Sequence, residues 1–151
     1  MDGIVKEMIR IYKPKGICWL GYKITKKNPI TYHHCITKAC DGGKRNLENG
    51  ALVSKIGHQY LHLTEVYDYA VYRELNNIFQ EINMQGHTPT KEQYTMINEC
   101  LKYFESRYAD VRTNKGKYII QPQFYKREIY SFEEVDFQMK GDKWIKQEKP
   151  I

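Results

Sequence analysis

Short apolar stretches alternate with lysine-rich turns over the first thirty residues. Ile17-Cys18-Trp19-Leu20-Gly21-Tyr22 and Ile30-Thr31-Tyr32 are bracketed by Pro14, Gly16 and Pro29, which predicts short strands or irregular structure over residues 4 to 32. Thr31-Tyr32-His33-His34-Cys35-Ile36-Thr37 is rich in β-branched and aromatic residues, Asp41-Gly42-Gly43-Lys44-Arg45-Asn46 breaks the chain, and Ala51-Leu52-Val53-Ser54 returns. The expectation is a β-hairpin with a long basic loop. From residue 58 to residue 84, Leu61, Val66, Tyr69, Ala70, Leu75, Ile78, Phe79 and Ile82 recur at three- and four-residue steps with no internal Gly or Pro, predicting one long amphipathic helix. Gln85-Gly86-His87-Thr88-Pro89-Thr90 supplies a stop, a turn and an N-cap candidate with Pro at the first helical position. Tyr94, Ile97, Leu101, Phe104 and Tyr108 then mark a second helix, antiparallel to the first. After Gly116 the pattern turns strand-like at Tyr118-Ile119-Ile120 and Ile129-Tyr130-Ser131-Phe132, and the end from residue 140 onward reads as frayed. The class is α+β: a hairpin and long helix, a second antiparallel helix and a short β-like C-terminal region.

A length of 151 residues with 41% hydrophobic content suits one domain over 1–151 with a real core. The apolar runs are too short for a membrane span, and residues 1 to 10 mix charge with Ile, Val and Met, so neither a membrane partner nor a secretory signal is expected. Cys18, Cys35, Cys40 and Cys100 form no C-x-x-C pair, which fits free thiols in a reducing compartment. The expected location is cytoplasmic. The net charge of +6 is segregated: residues 1–58 carry +7, 59–104 carry −3, 105–127 carry +4 and 128–151 carry −2. The basic N-terminal third and the strip Lys115, Lys117, Lys126 and Arg127 would attract phosphate backbones.

Four of the five histidines fall in one stretch with Asn49: His33, His34, His58 and His62. His58 and His62 are four apart at the start of the predicted helix, so both project from one face and can bind one metal ion. His33 lies at the end of the first predicted strand, which the hairpin returns against that helix, so a third ligand is available. Neighbours in a strand face opposite sides, so one of His33 and His34 can bind while the other does chemistry. Gly42-Gly43 lets the loop fold tightly, and Asn49 can pin its end. A lone histidine pair at this spacing is more often two surface residues, but the His-His strand and the intervening Gly-Gly and Asn reverse those odds.

With these residues in view the chain resembles the HNH, or ββα-metal, endonuclease family. His33-His34, Gly42-Gly43, Glu48-Asn49 and His58-Gln59-Tyr60-Leu61-His62 are similar to its core, with the histidine spacing of the nuclease-colicin branch. The resemblance covers residues 31 to 65. It implies an HNH core over about 31–65, which leaves a helical brace over about 66–112 and a C-terminal extension over about 113–151. It also implies His34 as general base, His33, His58 and His62 as ligands of one divalent ion (Mg, Mn, Ni or Zn), and Asn49 as the residue that holds the loop and orients the base. Many phage and bacterial HNH proteins carry two C-x-x-C zinc knuckles around this core; Cys35 and Cys40 cannot supply them, so the helices after His62 must brace the site.

A phosphodiester under attack by water builds charge on the phosphoryl and leaving oxygens, which a divalent ion stabilises. A neutral imidazole can take the water's proton near neutral pH. Lys38, Lys44, Arg45 and Lys55 surround the site in sequence and would grip DNA phosphates without reading bases. His87 reads as a turn residue, Cys35 as core, and Trp19, Tyr22 and Tyr32 as packing residues rather than base-stacking ones. Glu65 and Asp68 are candidates to support a ligand histidine. Two functions follow: a metal-dependent DNA endonuclease from a phage or mobile element, or an HNH-scaffold protein that blocks a host nuclease such as a CRISPR effector. For the second, the stretch from residue 128 to 136 would offer an acidic, DNA-like surface.

Overall fold

The computed structural model describes residues 3–35, 47, 49–128, 136–140 and 143–147, the last two stretches as backbone only. The chain opens on a helix, α1 (Gly3–Tyr12), where the lysine-rich pattern had suggested strands or irregular structure. Val5, Met8 and Tyr12 are its buried positions, spaced three and four apart. With Ile4 and Ile9 beside them they form one apolar face, a helical period that the lysine-rich turns after residue 12 do not continue. Pro14 lies just beyond it, and Lys13 already has a left-handed φ of 50°.

Strands β1 (Ile30–His34) and β2 (Gly50–Ser54) pair antiparallel, with Ile30 opposite Ser54 and His34 opposite Gly50. Every residue of β2 is buried. Part of the cover comes from residues 17–23, where the Trp19 N–H donates to the Leu52 carbonyl at 2.9 Å, so this side of β2 is not an open edge. Trp19, Tyr22 and Tyr32 are buried, with the Tyr12 ring edge-on to Trp19 at 5.0 Å, and Cys35 is buried too. All four are core residues, as expected.

β2 runs directly into α2 (Lys55–Tyr67). The Ser54 hydroxyl accepts from the Gly57 N–H at 3.1 Å, and Asn28 Oδ1 accepts from the Ile56 N–H at 2.8 Å, so two otherwise orphaned donors of the first turn are satisfied. Gly57 has to be small: a Cβ there would stand 2.6 Å from Val53 Cγ1. This close approach sets the next residue, His58, beside β1.

The single helix expected from residue 58 to residue 84 is two helices. α2 stops at Tyr67 and α3 spans Tyr69–Gln85, with Asp68 between them at φ −150° and ψ 84°. Asp68 closes the first helix, its N–H donating to Thr64 O at 2.8 Å, and caps the second, its Oδ1 accepting from the Val71 N–H at 3.3 Å. Val66 and Tyr69, counted in the apolar stripe, are 76% and 51% exposed. α3 ends at Gly86, whose φ of 72° suits glycine.

α4 (Lys91–Tyr108) is capped by Thr90 in a capping box with Gln93, which puts Pro89 before the cap rather than inside the helix. Gln93 Nε2 donates to Gln85 Oε1 at one end of the pair, and the Tyr108 hydroxyl to Asp68 Oδ2 at the other, so α3 and α4 run antiparallel. Leu75, Ile78, Phe79, Ile97, Leu101 and Phe104 are buried, as the spacing predicts.

The strand expected at residues 118–120 is reduced to a bridge between Arg112 and Tyr118; Ile119 and Ile120 turn into the core ahead of a 3-10 turn at Pro122–Tyr125. Residues 129–132, also read as strand-like, lie outside the described residues, as does the 129–135 part of the proposed acidic surface. The frayed end is corrected: β3 (Asp136–Lys140) and β4 (Lys143–Gln147) pair antiparallel. Alternating apolar residues around Gly141-Asp142 were the signal in sequence. Among the described residues no helix is long and apolar enough to cross a membrane.

Candidate active site

Three imidazoles lie ring against ring where β1 meets α2. His33 is edge-on to His58 with centroids 5.4 Å apart, and His58 stacks on His62 at 4.9 Å with 16° between planes. The hairpin and the i, i+4 spacing bring together the three residues expected to do so. His34 takes the other face of the pleat, edge-on to Tyr32 at 4.8 Å. Asn49 is buried, and its carbonyl accepts from the Cys35 N–H at 2.8 Å, so the loop between the strands is closed just beyond His34.

Each of the three rings has one nitrogen beside an oxygen. His33 Nε2 is 2.7 Å from Asn76 Oδ1, and Asn76 Nδ2 donates to the Tyr72 carbonyl at 3.0 Å, which fixes the amide so that its oxygen faces the ring. His33 therefore donates through Nε2 and keeps its lone pair on Nδ1. His58 Nδ1 is 3.0 Å from Thr31 Oγ1, whose single proton goes to the Val53 carbonyl at 2.7 Å. The hydroxyl must then accept, and the His58 lone pair is on Nε2. His62 Nδ1 is 3.4 Å from the Glu65 carboxylate, so its Nε2 is the nitrogen turned away from that oxygen.

Burial, helped by the charges of His58, His62 and His34 and opposed by the Asn76 hydrogen bond, pushes the His33 pKa down to about 3. Burial, then His62 and His34, lower that of His58 as well. Neutral imidazoles with one N–H held by an oxygen are the form in which histidine binds a divalent ion. In kind the three residues fit one, and His33 and His58 fit it in protonation as well. As the side chains stand, no group of three or more His, Cys, Asp or Glu is arranged to hold an ion among the described residues. His62 is exposed and His58 half-buried, so these two have room to turn, while His33 is 3% exposed and held.

Asn76, Thr31 and the rings of Tyr72 and Phe79 around His33 were not anticipated. Of the two acids after His62, Glu65 stands 3.4 Å from the His62 ring, while Asp68 caps a helix and accepts from Tyr108. Lys55 is exposed on the first turn of α2, three residues before His58, whereas Lys38, Lys44, Arg45 and the Gly42-Gly43 pair lie outside the described residues. His87 is exposed and sits 2.8 Å from the Thr88 carbonyl. Cys18, Cys35 and Cys100 are free thiols, and burial pushes that of Cys35 up to about 12, away from nucleophilic use. No family model fits this chain, and no curated protein and no solved structure matches it.

Proposed function

We propose that this chain is a metal-dependent endonuclease of the HNH kind, hydrolysing DNA phosphodiester bonds. The observation that carries the reading is the run of three imidazoles, each with one nitrogen beside an oxygen, next to a fourth histidine on the opposite pleat face. His33, His58 and His62 would hold one divalent ion, which supplies the positive charge that stabilises the developing phosphoryl and leaving oxygens. His34 takes the proton of the attacking water. The Asn49 backbone closes the loop behind it, and Lys55, with Lys38, Lys44 and Arg45, grips flanking phosphates.

The alternative, a host-nuclease blocker, would have the chain beyond residue 65 serve a partner rather than the site. That chain is not surplus to the histidine cluster, because α3 supplies the hydrogen-bond partner and the ring walls of His33, and α4 packs behind α3. The enzyme reading therefore leads.

A plasmid-nicking assay with Mg, Mn, Ni and Zn ions tests it. His34→Ala should lower cleavage by about 10² to 10⁴ while calorimetry shows ion binding unchanged, because a general base acts on the barrier and not on coordination. His58→Ala should lose ion affinity and the ion-dependent rise in melting temperature together. Wild type that binds an ion yet cuts no plasmid, single strand or RNA with any of the four would end the nuclease reading. Inhibition of a host nuclease would then be the function to measure.

A further inference from the structure

We propose that the turn region after α4 carries a second nucleic-acid contact: a groove that takes an unpaired stretch of DNA or RNA, stacking a base on Tyr118 and gripping phosphates with Arg112, Lys115 and Lys117. The groove has a volume of about 660 Å³ and is lined by Lys117, Tyr118, Gln121, Pro122, Gln123 and Tyr125, among others. That is within the range of about 300 to 1,000 Å³ that small-ligand sites occupy.

Its features point to a polynucleotide. Tyr118 is 49% exposed although the next two residues, Ile119 and Ile120, are buried, so the chain leaves out the ring while taking in its neighbours. The ring is held in place. The Arg112 guanidinium lies 4.4 Å from its centroid and donates from Nη2 to the hydroxyl at 2.6 Å, while the two backbones bridge. The turn between them is closed by the Thr113 N–H to Lys117 O at 2.7 Å and the Gly116 N–H to Thr113 O at 2.9 Å. A tyrosine with a cation stacked on it is a ready platform for an unpaired base. The Gln121 and Gln123 side chains, joined at 2.5 Å, place amides beside it.

Charge agrees with the shape. Of the residues giving 105–127 its net +4, Arg127 and Glu105 pair in the interior, so Arg107, Arg112, Lys115, Lys117 and Lys126 stand at the surface against Asp110. Phe124, in the 3-10 turn, stacks on Tyr60 at 4.6 Å, and Tyr60 lies about 200° round α2 from His58 at helical spacing. The groove is thus on the far side of α2 from the histidine cluster, and the two can be tested separately.

Fluorescence anisotropy with labelled oligo-dT and oligo-U, in EDTA so that no cleavage occurs, tests this site through variants confined to it. Lys115→Gln with Lys117→Gln should lower the slope of log affinity against log salt by about 1.4, at about 0.7 per phosphate contact on a single strand. Tyr118→Ala should weaken binding by about 5- to 150-fold, the range for one stacked base. Tyr118→Phe, which keeps the ring, should retain most of the affinity. A preference between the two oligomers identifies DNA or RNA as the ligand. Failure of wild type to bind either, Tyr118→Ala binding as wild type does, or displacement by poly-glutamate as effective as by polynucleotide would overturn the proposal. Oligomer binding in EDTA together with no cleavage when any of the four ions is supplied would end the nuclease reading alone; cleavage with Tyr118→Ala binding as wild type does would end this one alone.

Discussion

A buried imidazole has to satisfy one ring nitrogen locally if the other is to be useful, and at His33 the local partner is Asn76. Asn76→Leu keeps a side chain of similar size and removes the acceptor, stranding a buried N–H at a cost of about 1 to 3 kcal/mol. Ion affinity measured against a chromophoric chelator should fall by about 10- to 100-fold, the usual effect of losing a ligand's hydrogen-bond partner. Asn76→Asp, which keeps an acceptor, should restore much of it. A Leu variant that binds as tightly as wild type would show that Asn76 orients nothing. The histidines themselves are legible in the sequence, because i, i+4 on a helix and adjacency in a strand are local geometry. Asn76 and Thr31 are not, since they reach His33 and His58 from 43 and 27 residues away. The one signal for Asn76 was a polar residue on the buried stripe that carries Leu75, Ile78 and Phe79.

Spacing along an element predicts which face is buried, but not where the element bends. The α3–α4 pair was legible because each helix keeps one apolar face. Leu101 has no solvent exposure and sits in that seam. Leu101→Ala should cost about 2 to 5 kcal/mol in chemical denaturation, from lost transfer energy and the cavity left behind; an unchanged midpoint would remove it from the core. The break at Asp68 was not legible, because neither Gly nor Pro marks it. Asp is an ordinary residue inside a charged helix surface, and only its bonds to the Val71 N–H and the Tyr108 hydroxyl show it acting as a cap. The consequence reaches the site. α2 can lie against the hairpin with His58 toward β1 while α3 takes its own direction and brings Asn76 and Tyr72 over His33. α1 is legible by the same rule, since Ile4, Val5, Met8, Ile9 and Tyr12 recur at three- and four-residue steps; taking this stretch together with the lysine-rich turns that follow it hides the period.

At the scale of the whole molecule, the C-terminal segment is tied to the helices by one buried cation. Arg127 reads in sequence as part of a basic strip with Lys115, Lys117 and Lys126, yet its side chain has no exposed surface and pairs with Glu105 on α4 at 2.6 Å. Its remaining donors reach Asn98 Oδ1 at 2.9 and 3.1 Å and the Phe124 carbonyl at 2.9 Å. The Tyr60 hydroxyl of α2 donates to Glu105 at 2.8 Å, and burial, then the Glu105 charge, raise its pKa so that it stays a donor. Two charges out of water gain little over a well-packed apolar pair, but one alone is costly. Arg127→Met should therefore destabilise by about 3 to 5 kcal/mol, because Glu105 is left buried without its counter-charge. Arg127→Met combined with Glu105→Met should recover a large part of that loss, a coupling read by a double-mutant cycle in urea. Because Tyr60 faces away from His58 and His62 on α2, the double variant should keep its ion affinity even where its denaturation midpoint differs from wild type. A double variant as unstable as the two single losses added together would show that the charges do not depend on each other, and that the C-terminal segment is held by its apolar contacts at Ile119, Ile120 and Phe124 instead.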